Sequence, residues 1–123
     1  MRILIADDNE GFRGFIRRVL VSEKDFNVVG EAIDGEEAIR KVQTLQPDLV
    51  LMNMDLPAMD GLEATRRIKG RIPRTSVIMF SSLDGLAFRE ASARSGADEF
   101  LPKFAPLSMI LAAVRRSSST GTA

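Results

Sequence analysis

At 123 residues, with 45% hydrophobic and 28% charged side chains, the chain has the length and make-up of one globular domain with its own core. Its 17 basic and 17 acidic residues give a formal net charge of +0, which excludes a general attraction for nucleic acid or an anionic membrane. Cysteine and histidine are absent, which excludes disulfides, thiolate or imidazole metal sites and Ser-His-Asp catalysis.

Short apolar runs alternate with amphipathic stretches, the pattern of βα units on a parallel sheet. The first strand is expected at residues 3–6, followed by a helix over 10–21 on which Phe12, Phe15, Ile16, Val19 and Leu20 recur at helical spacing. A second strand at 26–29 precedes a helix that Asp34 can cap, with Ala38, Ile39, Val42 and Leu45 facing inward and Pro47 beyond its end. The third strand, 49–52, leads to a helix capped by Asp60, carrying Leu62, Thr65 and Ile68 and ending near Gly70. The fourth strand, 77–80, precedes a weaker helix that starts at Asp84 or Gly85 and stops at Gly96. A faint fifth strand at 99–101 precedes a last helix from about Pro106 through Leu107, Ile110, Leu111 and Val114.

Five such units make a three-layer αβα sandwich over residues 1–116. Residues 117–123 are all Ser, Thr, Gly or Ala, have nothing to bury, and read as a flexible tail or the start of a linker. No run reaches the roughly 20 apolar residues of a membrane span, and the short apolar start turns acidic at Asp7, unlike a signal peptide. A cytoplasmic location with no membrane partner is expected.

In folds of this kind ligands bind beyond the carboxyl ends of the strands. Those ends carry Asp7 and Asp8, then Asn53 and Asp55, then Ser81 and Ser82, then Lys103. Hard carboxylate oxygens without His or Cys favour Mg²⁺, Ca²⁺ or Mn²⁺. With an ammonium and a hydroxyl beside them, they form the equipment for stabilising a phosphoryl group. Taken singly, each has an ordinary explanation: Asp7 and Asp8 as acids near a helix N-terminus, Ser81 as a turn hydroxyl, Lys103 as a solvated charge. Their joint occurrence at strand ends makes the ordinary explanation weak.

The chain resembles the receiver domains of bacterial two-component response regulators over residues 1–116. The segments that carry the resemblance are Ile3-Leu4-Ile5-Ala6-Asp7-Asp8, Gly30-Glu31-Ala32, Asp34-Gly35-Glu36-Glu37-Ala38, Pro47-Asp48-Leu49-Val50-Leu51-Met52, Leu56-Pro57 with Met59-Asp60-Gly61, and Gly96-Ala97-Asp98-Glu99-Phe100-Leu101-Pro102-Lys103. The resemblance implies a doubly wound, CheY-like or flavodoxin-like sheet with strand order 2-1-3-4-5. It further implies that Asp7, Asp8 and the backbone carbonyl of Asp55 hold Mg²⁺. Ser81 would be the switch hydroxyl, Lys103 the phosphoryl contact and Phe100 the switch aromatic on strand five. A sensor histidine kinase is the implied partner. A homodimer through helices one and five, or four and five, is open to the family.

Asn53 stands where that family has its phospho-acceptor aspartate. An amide is a poor nucleophile, and the lost negative charge should weaken Mg²⁺ binding. Either the position was substituted in a normal receiver, or the chain is a natural pseudo-receiver controlled by partners or small ligands. Other departures are Phe104 where many receivers have proline after the lysine, and Ala58 in place of a frequent loop glycine, which requires φ at 58 to be negative or strained. The segments around Gly30 and around Lys103-Phe104-Ala105-Pro106 look most like the NarL/FixJ-type class. That likeness implies transcription control, with DNA reached only through a helix-turn-helix output domain that this sequence lacks.

Three other functions compete with this one. A Mg²⁺-dependent aspartate phosphatase-like enzyme is suggested by Asp55 two residues after position 53, yet Asn53 removes the usual nucleophile. A nucleotide-binding domain would need a glycine-rich phosphate loop where Asp7 and Asp8 stand. Direct DNA binding through Arg66, Arg67, Lys69, Arg71 and Arg74 competes with the ordinary role of basic residues near a helix C-terminus.

Overall fold

The computed structural model describes residues 1–120, with side chains to Ser117. The order is β1 (Arg2–Ala6), α1 (Glu10–Val21), β2 (Asn27–Ala32), α2 (Gly35–Leu45), β3 (Leu49–Asn53), α3 (Gly61–Arg71), β4 (Ser76–Ser81), α4 (Leu86–Ser95), β5 (Glu99–Pro102) and α5 (Leu107–Thr120). The strands form one parallel five-stranded sheet in the order β2-β1-β3-β4-β5, as expected. The tail expected over residues 117–123 falls at this end: α5 continues to Thr120, and residues 121–123 lie outside the described residues.

Each central strand feeds two cores by simple alternation. Ile3, Ile5, Leu49, Leu51, Ile78 and Phe80 pack on one face with Ile16 and Leu20 of α1 and Ile110 and Val114 of α5. Leu4, Ala6, Val50, Met52, Val77 and Met79 pack on the other with Val42 of α2 and Ala64 and Ile68 of α3. Burial on both faces explains why these runs are apolar throughout rather than alternating with polar residues.

Helix starts follow the expected chemistry. Asp34 accepts the Glu37 N–H at 2.7 Å and Asp60 accepts that of Glu63 at 2.9 Å. Asn9 caps α1 in the same way, accepting from the Phe12 N–H at 2.9 Å. For α4 the cap is Gly85, and no side chain bonds its first amides. Gly96 ends that helix at φ 99°, a left-handed turn that only glycine adopts freely. Gln46 closes α2 at φ 51° in the same left-handed region, at a cost glycine would avoid.

Candidate functional site

The loops beyond the carboxyl ends of β1, β3 and β5 bring Asp7 to Lys103, and Asn53 to Asp8 and the Asp55 carbonyl. Asp7 is buried, with 1% of its surface exposed. Parallel pairing carries it there: β1 lies between β2 and β3, and the Asp7 N–H continues the ladder to the Ala32 carbonyl at 2.9 Å. One of its carboxylate oxygens, Oδ1, accepts the Asn9 N–H at 2.8 Å. The other, Oδ2, meets Lys103 Nζ at 2.7 Å across 96 positions of sequence (103 minus 7). That contact is an ion pair whose angles do not make it a hydrogen bond, so Oδ2 is a buried carboxylate oxygen with no hydrogen-bond donor.

Lys103 is carried in from the end of β5, where its N–H donates to the Ser81 carbonyl at 2.8 Å. Its ammonium also lies 4.6 Å from the centre of the Phe12 ring. Phe12 was legible as a core residue of α1, but nothing in its spacing marks it as a wall of the site. Arg13, one residue on, donates to the Asp7 carbonyl at 2.7 Å and to Glu31 at 2.8 Å, tying the first turn of α1 to the site. Sequence reasoning missed both contacts, because an arginine on a half-exposed helix face looks like any solvated charge.

Asn53 ends β3 and is 6% exposed. Its amide nitrogen donates to Asp8 Oδ1 at 3.2 Å and to the Asp55 carbonyl at 3.3 Å. Those two oxygens belong to the set expected to hold a cation, and in this arrangement amide N–H groups face them. The opposite orientation would set the amide oxygen against two other oxygens, so these two acceptors fix the flip. Asp8 and Asp55 are themselves exposed.

Ser81 ends β4 fully buried, and its Oγ accepts the Leu83 N–H at 3.1 Å. Phe100 is half-buried on β5, opposite Met79 in register. Its ring centre lies 5.0 Å from the Arg89 guanidinium carbon. Position 58 answers the question its alanine posed: φ is 66°, so the loop after β3 carries the strained alternative. Every described peptide bond is trans, including the one before Phe104.

Four of the five basic residues on and after α3 meet partners. Arg66 and Arg67 pair with Glu63 at 2.9 and 3.0 Å, Lys69 pairs with Asp98 at 2.9 Å, and Arg74 donates to Gln46 at 3.1 Å. Among the described residues no helix is long and apolar enough to cross a membrane.

The donor set suits a small hard cation in kind, with the two carboxylates of Asp7 and Asp8 and the main-chain carbonyl of Asp55, and Asp7 Oδ2 is buried with an ion pair to Lys103 as its charged contact. Among the described residues no group of three or more His, Cys, Asp or Glu side chains could hold a metal ion, and position 53 presents an amide.

The family model for the response regulator receiver domain matches residues 3–115. A protein-glutamate methylesterase/protein-glutamine glutaminase of Pseudoalteromonas atlantica is 42% identical over 104 residues, covering 83% of this chain and 27% of that protein. The chain therefore spans about a quarter of the length of this relative. Among solved structures, the signal receiver domain of NarL from Mycobacterium tuberculosis superposes with a TM-score of 0.91 at 30% identity, covering 96% of this chain and 95% of that one. The response regulator domain of CheB from Thermotoga maritima gives 0.86 at 30% identity, covering 95% of both.

Proposed function

The chain belongs to the response regulator receiver family, and from that premise we propose that it is a switch and interaction module of a phosphorelay, with no turnover chemistry of its own, whose acceptor position is blocked by Asn53. The observation that carries this reading is the convergence of Asp7 and Lys103 at 2.7 Å with Asn53 in contact with Asp8 at 3.2 Å. Receiver domains act with histidine kinases and other phosphorelay proteins and generally bind Mg²⁺. A sensor histidine kinase is accordingly the partner class proposed here, and a homodimer is a secondary arrangement that the same fold allows.

Asp7, Asp8 and the Asp55 carbonyl would hold Mg²⁺, which when bound supplies charge against phosphoryl oxygens. Lys103 is assigned to the phosphoryl group, Ser81 to the switch hydroxyl and Phe100 to the aromatic that follows it. Asn53 withholds the attacking carboxylate, because its amide electrons are delocalised and its nitrogen already donates to Asp8 and Asp55. The working unit is taken as residues 1–116, the span that contains every one of these residues, with 117–123 as its tail or the start of a linker.

The output follows the relatives with less force. The segments that look like the NarL/FixJ-type class point to transcription control through a separate DNA-binding domain. The matched methylesterase/glutaminase instead joins a receiver-like stretch to a longer enzyme. The NarL and CheB receivers match at the same 30% identity. The proposal is therefore confined to the switch itself. An aspartate phosphatase-like activity is the weaker reading, since no carboxylate stands at the acceptor position.

Incubation with acetyl phosphate and Mg²⁺, read by intact-protein mass spectrometry, tests the assignment. The chain should stay unmodified, and Asn53→Asp should gain one acid-stable, base-labile phosphate and bind Mg²⁺ more tightly. Equal labelling of both proteins would overturn it, and sustained release of phosphate would favour the enzyme.

A further inference from the structure

We propose that Arg89 is a positioning residue that holds the Phe100 ring in its half-buried seat and ties it to the loop after β4. The inference rests on the reading of Phe100 as the switch aromatic and adds the element that restrains it.

Arg89 lies on α4, with its guanidinium carbon 5.0 Å from the Phe100 ring centre. The same guanidinium is also held by Asp84: Nε donates to Oδ1 at 2.9 Å and Nη2 to Oδ2 at 3.3 Å. Asp84 in turn is fixed to its own loop, its Oδ1 accepting the Gly85 N–H at 2.7 Å. One residue earlier, the Leu83 N–H donates to Ser81 Oγ at 3.1 Å. The contacts therefore run from the buried hydroxyl of Ser81 through Leu83, Asp84 and Arg89 to the ring on β5. An open groove of about 210 Å³ between α4 and β5, bounded by Arg89, Ser92, Ala97 and Phe100, lies beside the ring.

An acid just before a helix and an arginine one turn later also make an ordinary capping pair. Capping alone does not require the guanidinium to lie over an aromatic ring on a neighbouring strand. A planar guanidinium can stack on a ring while its edge engages a carboxylate, which an ammonium cannot do in the same geometry. Turning the Ser81 hydroxyl away from Leu83 would loosen the loop that carries Asp84. Arg89 would then lose its anchor and the ring its cover. The latch favours the resting position of Phe100.

The chain contains seven phenylalanines and neither tyrosine nor tryptophan, so 4-fluorophenylalanine labelling gives a simple ¹⁹F spectrum in which Phe100→Leu identifies one resonance. In the phosphate-free protein, Arg89→Ala and Asp84→Asn should each move the Phe100 resonance. The solvent-exposed population of the ring should rise by about two- to fivefold, the scale of an exposed cation–π contact. Arg89→Lys should fall between, since it keeps a charge and loses the paired hydrogen bonds. Arg94→Ala, which removes a different arginine of α4 paired with Glu90 at 3.9 Å, should leave the resonance in place. An unmoved resonance in Arg89→Ala with helical circular dichroism intact would overturn the proposal, as would an equal shift in Arg94→Ala. Because these spectra need no phosphate, failure of Phe100 as a switch reads out separately, as a resonance that ignores phosphorylation of Asn53→Asp.

Discussion

At position 65, on the buried face of α3, a hydroxyl is fully removed from water with no hydrogen-bond partner among the described residues. An unsatisfied buried hydroxyl costs on the order of 1–3 kcal/mol, and valine has nearly the same shape without it. Thr65→Val should therefore raise stability by about 1 kcal/mol in urea denaturation. A loss of stability instead would mean that the hydroxyl does bond in solution. Asn53 shows the complementary case. Its identity could be read from the chain, as could the consequence for nucleophilicity. That its nitrogen would face Asp8 and the Asp55 carbonyl could not, because an amide is equally able to accept. The choice is made by which atoms converge on it.

Among elements, α3 offers two glycines with opposite roles. A Cβ on Gly61 would lie 2.1 Å from the Asn53 carbonyl oxygen, so the first turn of α3 crosses the end of β3 at a distance only glycine permits. Gly70 is exposed and has nothing within 4 Å of a would-be Cβ. Gly61→Ala should destabilise by on the order of 3 kcal/mol, while Gly70→Ala should stabilise by about 0.5–1 kcal/mol through helix propensity. Thermal unfolding of both variants checks the sign and the contrast. Element boundaries were readable where a side chain caps or a glycine stops a helix, as at Asp34, Asp60 and Gly96. The second strand was less so. The expected run at 26–29 starts on Phe26, a core anchor before the strand, while β2 continues through Gly30 and Glu31 to Ala32. At the edge of the sheet its residues are only partly buried, so hydrophobicity does not mark its end. The sequence allows α4 to start at Asp84 or Gly85. The structure gives Gly85 the cap and turns Asp84 towards Arg89.

For the molecule as a whole, Glu31 couples stability to pH. Burial pushes its carboxyl up, but hydrogen bonds from Arg13 and Arg17 and their charges outweigh that and hold it below the ordinary value of 4.5. A carboxyl lowered on folding contributes stability above its unfolded pKa. That contribution is lost as pH falls through the lower folded value. Glu31→Gln should thus be less stable than the parent by about 1 kcal/mol or less at pH 7, and the two should converge below pH 4.5. Melting temperatures across that range test it, and a gap that widens in acid would contradict the assignment.

The sequence by itself determined the alternation of buried strands and amphipathic helices, and with it the sheet order that family resemblance supplied. It also placed the acids, the hydroxyl and the lysine of the candidate site at or just beyond strand ends and showed an amide at position 53. Tertiary structure alone decided which partners those side chains meet: Lys103 with Asp7, the Asn53 amide with Asp8, Arg89 with Phe100. The division has a physical cause. Periodicity records which face of an element avoids water, a property each segment carries alone. A contact between distant side chains depends on how the strands pair and the loops close around them.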